Sequence, residues 1–175
     1  ADVGAIVHAH PPTATGFAVA GVPLADCVLP EILSTVGSIP LAPYGTPGGE
    51  DLAGRILPIA RTHDAFLLKN HGAMTLGKEI WQAFHRMEMI ESFARTLFTA
   101  RQLGRVEPLD PLEVTKLLGM RPAPPLGAEG CGGCRTCKEA EAAGAPPEED
   151  QLVEEVIRRL AARLGEAPDR IGGAS

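Results

Sequence analysis

The 175-residue sequence holds no apolar run near the ~18 residues that a membrane helix needs, so no membrane span is expected. No block of lysine and arginine stands out, and the net charge is −6. Such a surface gives nucleic-acid binding no electrostatic support. A basic leader followed by an apolar stretch is also missing, so no secretion signal is visible. Nor does the chain open on methionine: Ala1 leads directly into Asp2 to His10, which reads as a strand entering a core. We expect on that ground that an N-terminal portion of the domain precedes Ala1. Cysteine is scarce, with Cys27 alone and Cys131, Cys134 and Cys137 together. Without signs of secretion, thiols so spaced read more readily as metal or redox ligands than as a disulfide framework.

What is present suits one sizeable soluble domain with appendages: 45% of residues are hydrophobic and 22% charged. Residues 1–119 read as one compact unit. Val3 to His10 is β-rich and stops at Pro11-Pro12. Thr13 to Ala20 is apolar and helical, ending at Gly21. Prolines 40, 43 and 47 with glycines 45, 48 and 49 make Ile39 to Gly49 a loop. A short helix is expected over Glu50 to Ala60. Ala65 to Lys69 and Ala73 to Leu76 read as strands joined by an Asn70-His71-Gly72 turn. Lys78 to Leu103 is the clearest helix, with Ile80, Trp81, Phe84, Met87, Ile90, Ala94, Leu97 and Phe98 at helical spacing. These are expected to face the core, with Gly104 as C-cap.

His8 and His10 stand two apart in the first strand, so alternation sends both imidazoles to one face. Two neutral imidazoles so placed can share a divalent ion, and a third nitrogen ligand would leave zinc an open position for substrate oxygen. His71 is the candidate third ligand, because a tight turn at a strand end can aim it into a cleft. Alone, a His-x-His pair is more often an accidental or merely surface-exposed feature of a strand. His63 and His85 lack partners at ligand spacing; His63 is expected to be exposed, and His85 a packing or surface residue.

Three motifs follow in order: Val7-His-Ala-His-Pro-Pro, Pro43-Tyr-Gly-Thr-Pro-Gly and Leu68-Lys-Asn-His-Gly. Together they resemble the class II aldolase/adducin family over residues 1 to about 118. The step from His10 to His71 is similar to that of its fuculose-phosphate aldolase branch, as is a helix after the turn carrying Glu88 and Glu91. The resemblance implies an α/β fold with a mixed, largely antiparallel central sheet flanked by helices, assembled as a homotetramer. It implies one zinc ion per chain at His8, His10 and His71, since adducins share the fold but lack this histidine set. It implies cleavage of a ketose 1-phosphate, of the fuculose or rhamnulose type, to dihydroxyacetone phosphate and a small aldehyde such as lactaldehyde. It also places the acid–base glutamate and the phosphate-cradling residues upstream of the His-x-His motif, before Ala1, so no catalytic residue is assigned. Family aldolases use tyrosines as proton donors, yet the only tyrosine here is Tyr44, and Asp26-Cys-Val-Leu-Pro30 has none. Sugar-phosphate epimerase, dehydratase and decarboxylase activities of related proteins therefore stay open, as does a non-catalytic targeting fragment.

Beyond the domain, residues 120–147 read as a linker: ten of the 27 residues from 121 to 147 are glycine or proline. Within it, Cys131-Gly-Gly-Cys134-Arg-Thr-Cys137 could wrap three thiolates round an auxiliary zinc or part of an iron–sulfur cluster, or be reactive thiols only. Residues 148–165 form an amphipathic helix with an apolar stripe that includes Val153, Val156, Ile157, Leu160 and Leu164. Residues 166–175 are expected to be a disordered tail. A domain, a Gly/Pro-rich linker and a short terminal helix together resemble the encapsulation peptides of bacterial microcompartment cargo. That resemblance implies a shell-protein partner and a cytoplasmic protein held inside a microcompartment.

Overall fold

The computed structural model describes residues 3–48 and 50–120. Among them a four-stranded sheet runs in the order β1-β4-β3-β2, numbering strands along the chain. Strand β1 is Ala5–Ala9, β2 Leu41–Ala42, β3 Ala65–Leu68 and β4 Gly72–Gly77. The β1–β4 and β3–β4 pairs are antiparallel and β2–β3 is parallel. The sheet is therefore mixed and largely antiparallel, as expected from the sequence. Five helices accompany it: α1 (Pro12–Ala20), α2 (Pro30–Thr35), α3 (Glu50–Ala60), α4 (Ile80–Leu103) and α5 (Pro111–Gly119).

Both faces of the sheet are covered, and the alternation of side chains decides what each face meets. Ala65, Leu67 and Ala73 point to a core shared with Ala14, Phe17 and Ala18 of α1 and Met87, Ile90, Phe93, Ala94 and Leu97 of α4. Phe66, Leu68 and Leu76 point the other way, onto Ile56, Ile59 and Ala60 of α3. Every residue of β3 is consequently buried, and its apolar run is that of a strand covered on both sides. A smaller cluster, with Cys27, Leu33 and Val114, fastens α5 to α2. Asp110 caps α5 by accepting from the Leu112 N–H at 2.8 Å.

Helix α4 buries a narrower stripe than its composition suggests. Ala83, Met87, Ile90, Phe93, Ala94 and Leu97 are buried, while Ile80, Trp81, Phe84 and Phe98 are exposed. The buried set recurs every three or four residues and so lies on one side of the helix. Trp81 and Phe84 fall off that side, and Ala83, with no bulk of its own, is buried instead. Gly104 does end the helix, its N–H donating to the Ala100 carbonyl at 3.1 Å. Two short elements were hidden in the sequence: β2 inside the proline-rich loop, and α2 beginning at Pro30.

Met120 is the last described residue. The rest of the expected linker at 120–147 lies outside the described residues, with Cys131, Cys134 and Cys137. So do the expected helix at 148–165, with Val153, Val156, Ile157, Leu160 and Leu164, and the tail at 166–175.

Candidate metal centre

Strand β1 is an edge strand whose side chains alternate: Ile6, His8 and His10 are exposed, while Val7 and Ala9 pack into the core. His8 pairs across the sheet with Met74, so it stands on the face that carries α3. His10 continues the alternation one residue past the strand, where Pro11-Pro12 ends pairing. His71 comes from the tight turn between β3 and β4. Asn70 there adopts φ +56°, the one positive-φ non-glycine residue among those described, and asparagine tolerates that conformation well. The His71 N–H donates to the Leu68 carbonyl at 3.0 Å, closing the turn.

The three imidazoles converge. Ring centroids lie 4.9 Å apart for His8–His10, 4.7 Å for His8–His71 and 5.0 Å for His10–His71. One nitrogen from each ring lies within 4.8 Å of the others. The closest pair is Nε2 of His8 and Nε2 of His10, 3.2 Å apart. Nitrogens bound tetrahedrally to zinc at 2.0–2.1 Å would stand about 3.3 Å apart, so this spacing already suits a shared ion.

Local hydrogen bonding sets the tautomer. Nδ1 of His8 lies 2.9 Å from the Ala73 carbonyl, which can only accept. Nδ1 therefore donates to it, which leaves Nε2 as the nitrogen on the side of His10. This backbone contact behind a ligand nitrogen is the usual support of a metal-binding histidine. His71 is pushed the same way electrostatically: burial, then the neighbouring His8 and His10, lower its pKa and keep it neutral. Nδ1 of His71 is buried without a hydrogen-bond partner, and an unpaired buried nitrogen is costly. A donor set of three converging imidazole nitrogens fits a divalent ion of the zinc type.

Gly72 makes the convergence possible. A Cβ at this position would meet the His10 ring and come 2.6 Å from the Ala9 carbonyl oxygen. The β3–β4 turn can approach β1 this closely only without a side chain at 72. The other two histidines stay apart from the cluster. His85 is exposed and pairs with Glu88 on its own helix at 3.1 Å. His63 is half-buried, not exposed as the sequence suggests, with Nδ1 2.9 Å from the Thr62 hydroxyl.

Glu91 caps the helix that follows His10, and sequence reading gave it no task. Its carboxylate accepts from the Thr13 N–H at 3.0 Å and the Ala14 N–H at 2.9 Å, at the start of α1. Those donors are the unsatisfied groups of a helix N-terminus, and Pro11 as N-cap offers no side-chain acceptor. Burial alone would raise the pKa of Glu91, but the hydrogen bonds from Ala14 and Thr13 outweigh it and hold the pKa below the ordinary value. A carboxylate 78 residues from its donor leaves no local signature, so no periodicity could have revealed it.

Comparison with known proteins places this geometry. An Escherichia coli (strain K12) 3-oxo-tetronate 4-phosphate decarboxylase is 31% identical over 98 residues, 54% of this chain and 46% of that protein. A Methanococcus maripaludis (strain C5) L-fuculose phosphate aldolase is 32% identical over 103 residues, 59% of this chain and 55% of that protein. The chain thus spans about half the length of these curated relatives. A solved L-fuculose 1-phosphate aldolase superposes with a TM-score of 0.63 at 28% identity, over 68% of this chain and 56% of that one. The family model for the class II aldolase and adducin N-terminal domain matches residues 1–98, more than half the chain. With that match over the strand and the turn that bring the three histidines together, the chain belongs to the class II aldolase and adducin N-terminal domain family.

Proposed function

We propose that the chain carries the zinc centre of a lyase that breaks a carbon–carbon bond beside the carbonyl of a small sugar phosphate. The observation that carries this reading is the 3.2 Å approach of the His8 and His10 Nε2 atoms, with the His71 ring beside both. A bound zinc ion would supply Lewis acidity toward the carbonyl that takes up the electron pair of the broken bond. The protein's own share is placement. The Ala73 carbonyl holds His8 in one tautomer, the closed turn aims His71, and burial keeps His71 neutral and able to bind.

The first reaction we assign is aldol cleavage of a ketose 1-phosphate of the fuculose or rhamnulose type. The bond between the carbon bearing the carbonyl's neighbouring hydroxyl and the next carbinol carbon breaks. The carbinol loses its O–H proton to become an aldehyde, and the remaining carbon takes a proton to give dihydroxyacetone phosphate. A second reading is favoured by the similarity to the E. coli decarboxylase. In a 3-oxo acid phosphate the same kind of bond joins the carboxylate to the carbon beside the carbonyl, and carbon dioxide leaves. A 3-oxo-tetronate 4-phosphate would also yield dihydroxyacetone phosphate, so that product cannot separate the two. Released aldehyde against released carbon dioxide can.

Metal content is the first test: about one zinc per chain, lost in His8→Ala, is expected. A chain that binds no zinc, or a His8→Ala variant that keeps it, would overturn the reading. With this centre we propose a homotetramer, which the exposed apolar group Ile80, Trp81 and Phe84 on the first turns of α4 supports. Docking of residues 148–165 to a microcompartment shell protein is proposed from their sequence alone, as is a second metal at Cys131, Cys134 and Cys137. No described helix is long and apolar enough to cross a membrane.

A further inference from the structure

Helix α1 touches both ligand-bearing segments of the histidine cluster. Its first residues follow His10 through Pro11 and Pro12, whose rings fix φ and make the connection stiff. Near its other end, the Ala18 carbonyl accepts from the Asn70 N–H at 3.2 Å, one residue before His71. The placement of α1 therefore bears on His10 through a rigid covalent link and on His71 through a hydrogen bond. What fixes the near end of α1 is Glu91. Its carboxylate, largely buried between α4 and α1, takes the N–H groups of Thr13 and Ala14. Arg95 reaches it only loosely from the solvent side, at 3.4 Å.

We propose that Glu91 is a positioning residue of the metal centre: by anchoring the N-terminus of α1 it holds His10, and through the Ala18–Asn70 bond His71, at binding distance from His8. The carboxylate suits this task because it can accept from two N–H groups at once, and its charge complements the positive end of the helix dipole. A neutral cap on α1 itself would satisfy the same donors without tying α1 to α4. This inference rests on the zinc reading above, and the experiment separates the two.

Zinc affinity of the full chain is measured by chelator competition, alongside the visible spectrum of the cobalt-substituted protein and thermal unfolding of the same samples. Four proteins are compared: wild type, Glu91→Ala, Glu91→Gln and Arg95→Ala. Supporting contacts behind ligands are typically worth about 10–100-fold in metal affinity. Glu91→Ala is expected to weaken zinc binding by at least about tenfold and to alter the cobalt bands, which report ligand geometry. Glu91→Gln keeps one acceptor oxygen and should recover part of the loss, while Arg95→Ala should bind as wild type. If Glu91→Ala does not fold, Glu91→Gln decides: weakened zinc binding in a folded protein supports the proposal. Folded Glu91 variants with wild-type zinc affinity and unchanged cobalt bands would overturn it, whatever their melting temperature. A wild-type chain that binds no zinc would instead remove the metal reading on which the proposal stands.

Discussion

At the scale of single residues, Gly72 and Glu91 matter because of what lies across from them. A methyl group at position 72 would press on the Ala9 carbonyl, fixed by the β1–β4 pairing, and on the His10 ring just past the strand. Gly72→Ala is therefore expected to cost about 1–3 kcal/mol, as overpacking does, and to displace His10. Urea unfolding and a zinc titration should both register it, with the loss of affinity exceeding that of Gly54→Ala, where a Cβ meets nothing. A wild-type zinc affinity in Gly72→Ala would show that the turn can yield. Glu91 gives a pH prediction. Its folded pKa is lowered, so its contribution is present above the unfolded-state pKa and is lost as pH falls through the folded one. Glu91→Gln should remove this part of the acid sensitivity. Unfolding midpoints of wild type and variant should differ at neutral pH and draw together in acid. Parallel curves down to acid pH would speak against a charged Glu91 as the cap.

At the scale of elements, α4 is the central support. Its buried stripe packs on α1 and on the sheet, and its N-terminal half reaches the β4 end through Arg86. That guanidinium pairs with Asp64 at 2.8 Å and donates to the Leu76 carbonyl. Leu97→Ala, at a fully buried position, is expected to cost about 2–5 kcal/mol through lost burial and the cavity left behind. Trp81→Ala, at a position 63% exposed, should stay within about 0.5 kcal/mol in the monomeric chain. The larger aromatic thus carries the smaller cost, and denaturant midpoints measured at low protein concentration test the order. The helix pattern of α4 was legible because its apolar spacing is local. Which of those apolar residues were core was not, because Ile80, Trp81, Phe84 and Phe98 satisfy the same composition while staying exposed. Strand β2 was hidden for a related reason: its two residues become a strand only by pairing with Leu67 and Leu68.

At the scale of the whole molecule, the exposed apolar group on α4 bears on assembly. If copies associate through it, replacing Trp81 and Phe84 by serine should shift the chain toward monomer in light scattering while zinc content stays unchanged. Unchanged mass would exclude that surface from the assembly. The histidine set itself was readable from the chain: two imidazoles two residues apart on a strand, and a third in an Asn-His-Gly turn. Those are local facts, since strand alternation and turn chemistry act within a few residues. So were the α/β character and the family resemblance, which live in motif order. The convergence of the rings, the close approach that Gly72 permits, the tautomer of His8 and the capping of α1 by Glu91 belong to the fold. Each joins groups more than 60 residues apart. Contacts of that span are set by how the sheet and helices pack, because no short-range periodicity records which donor a distant carboxylate or carbonyl will meet.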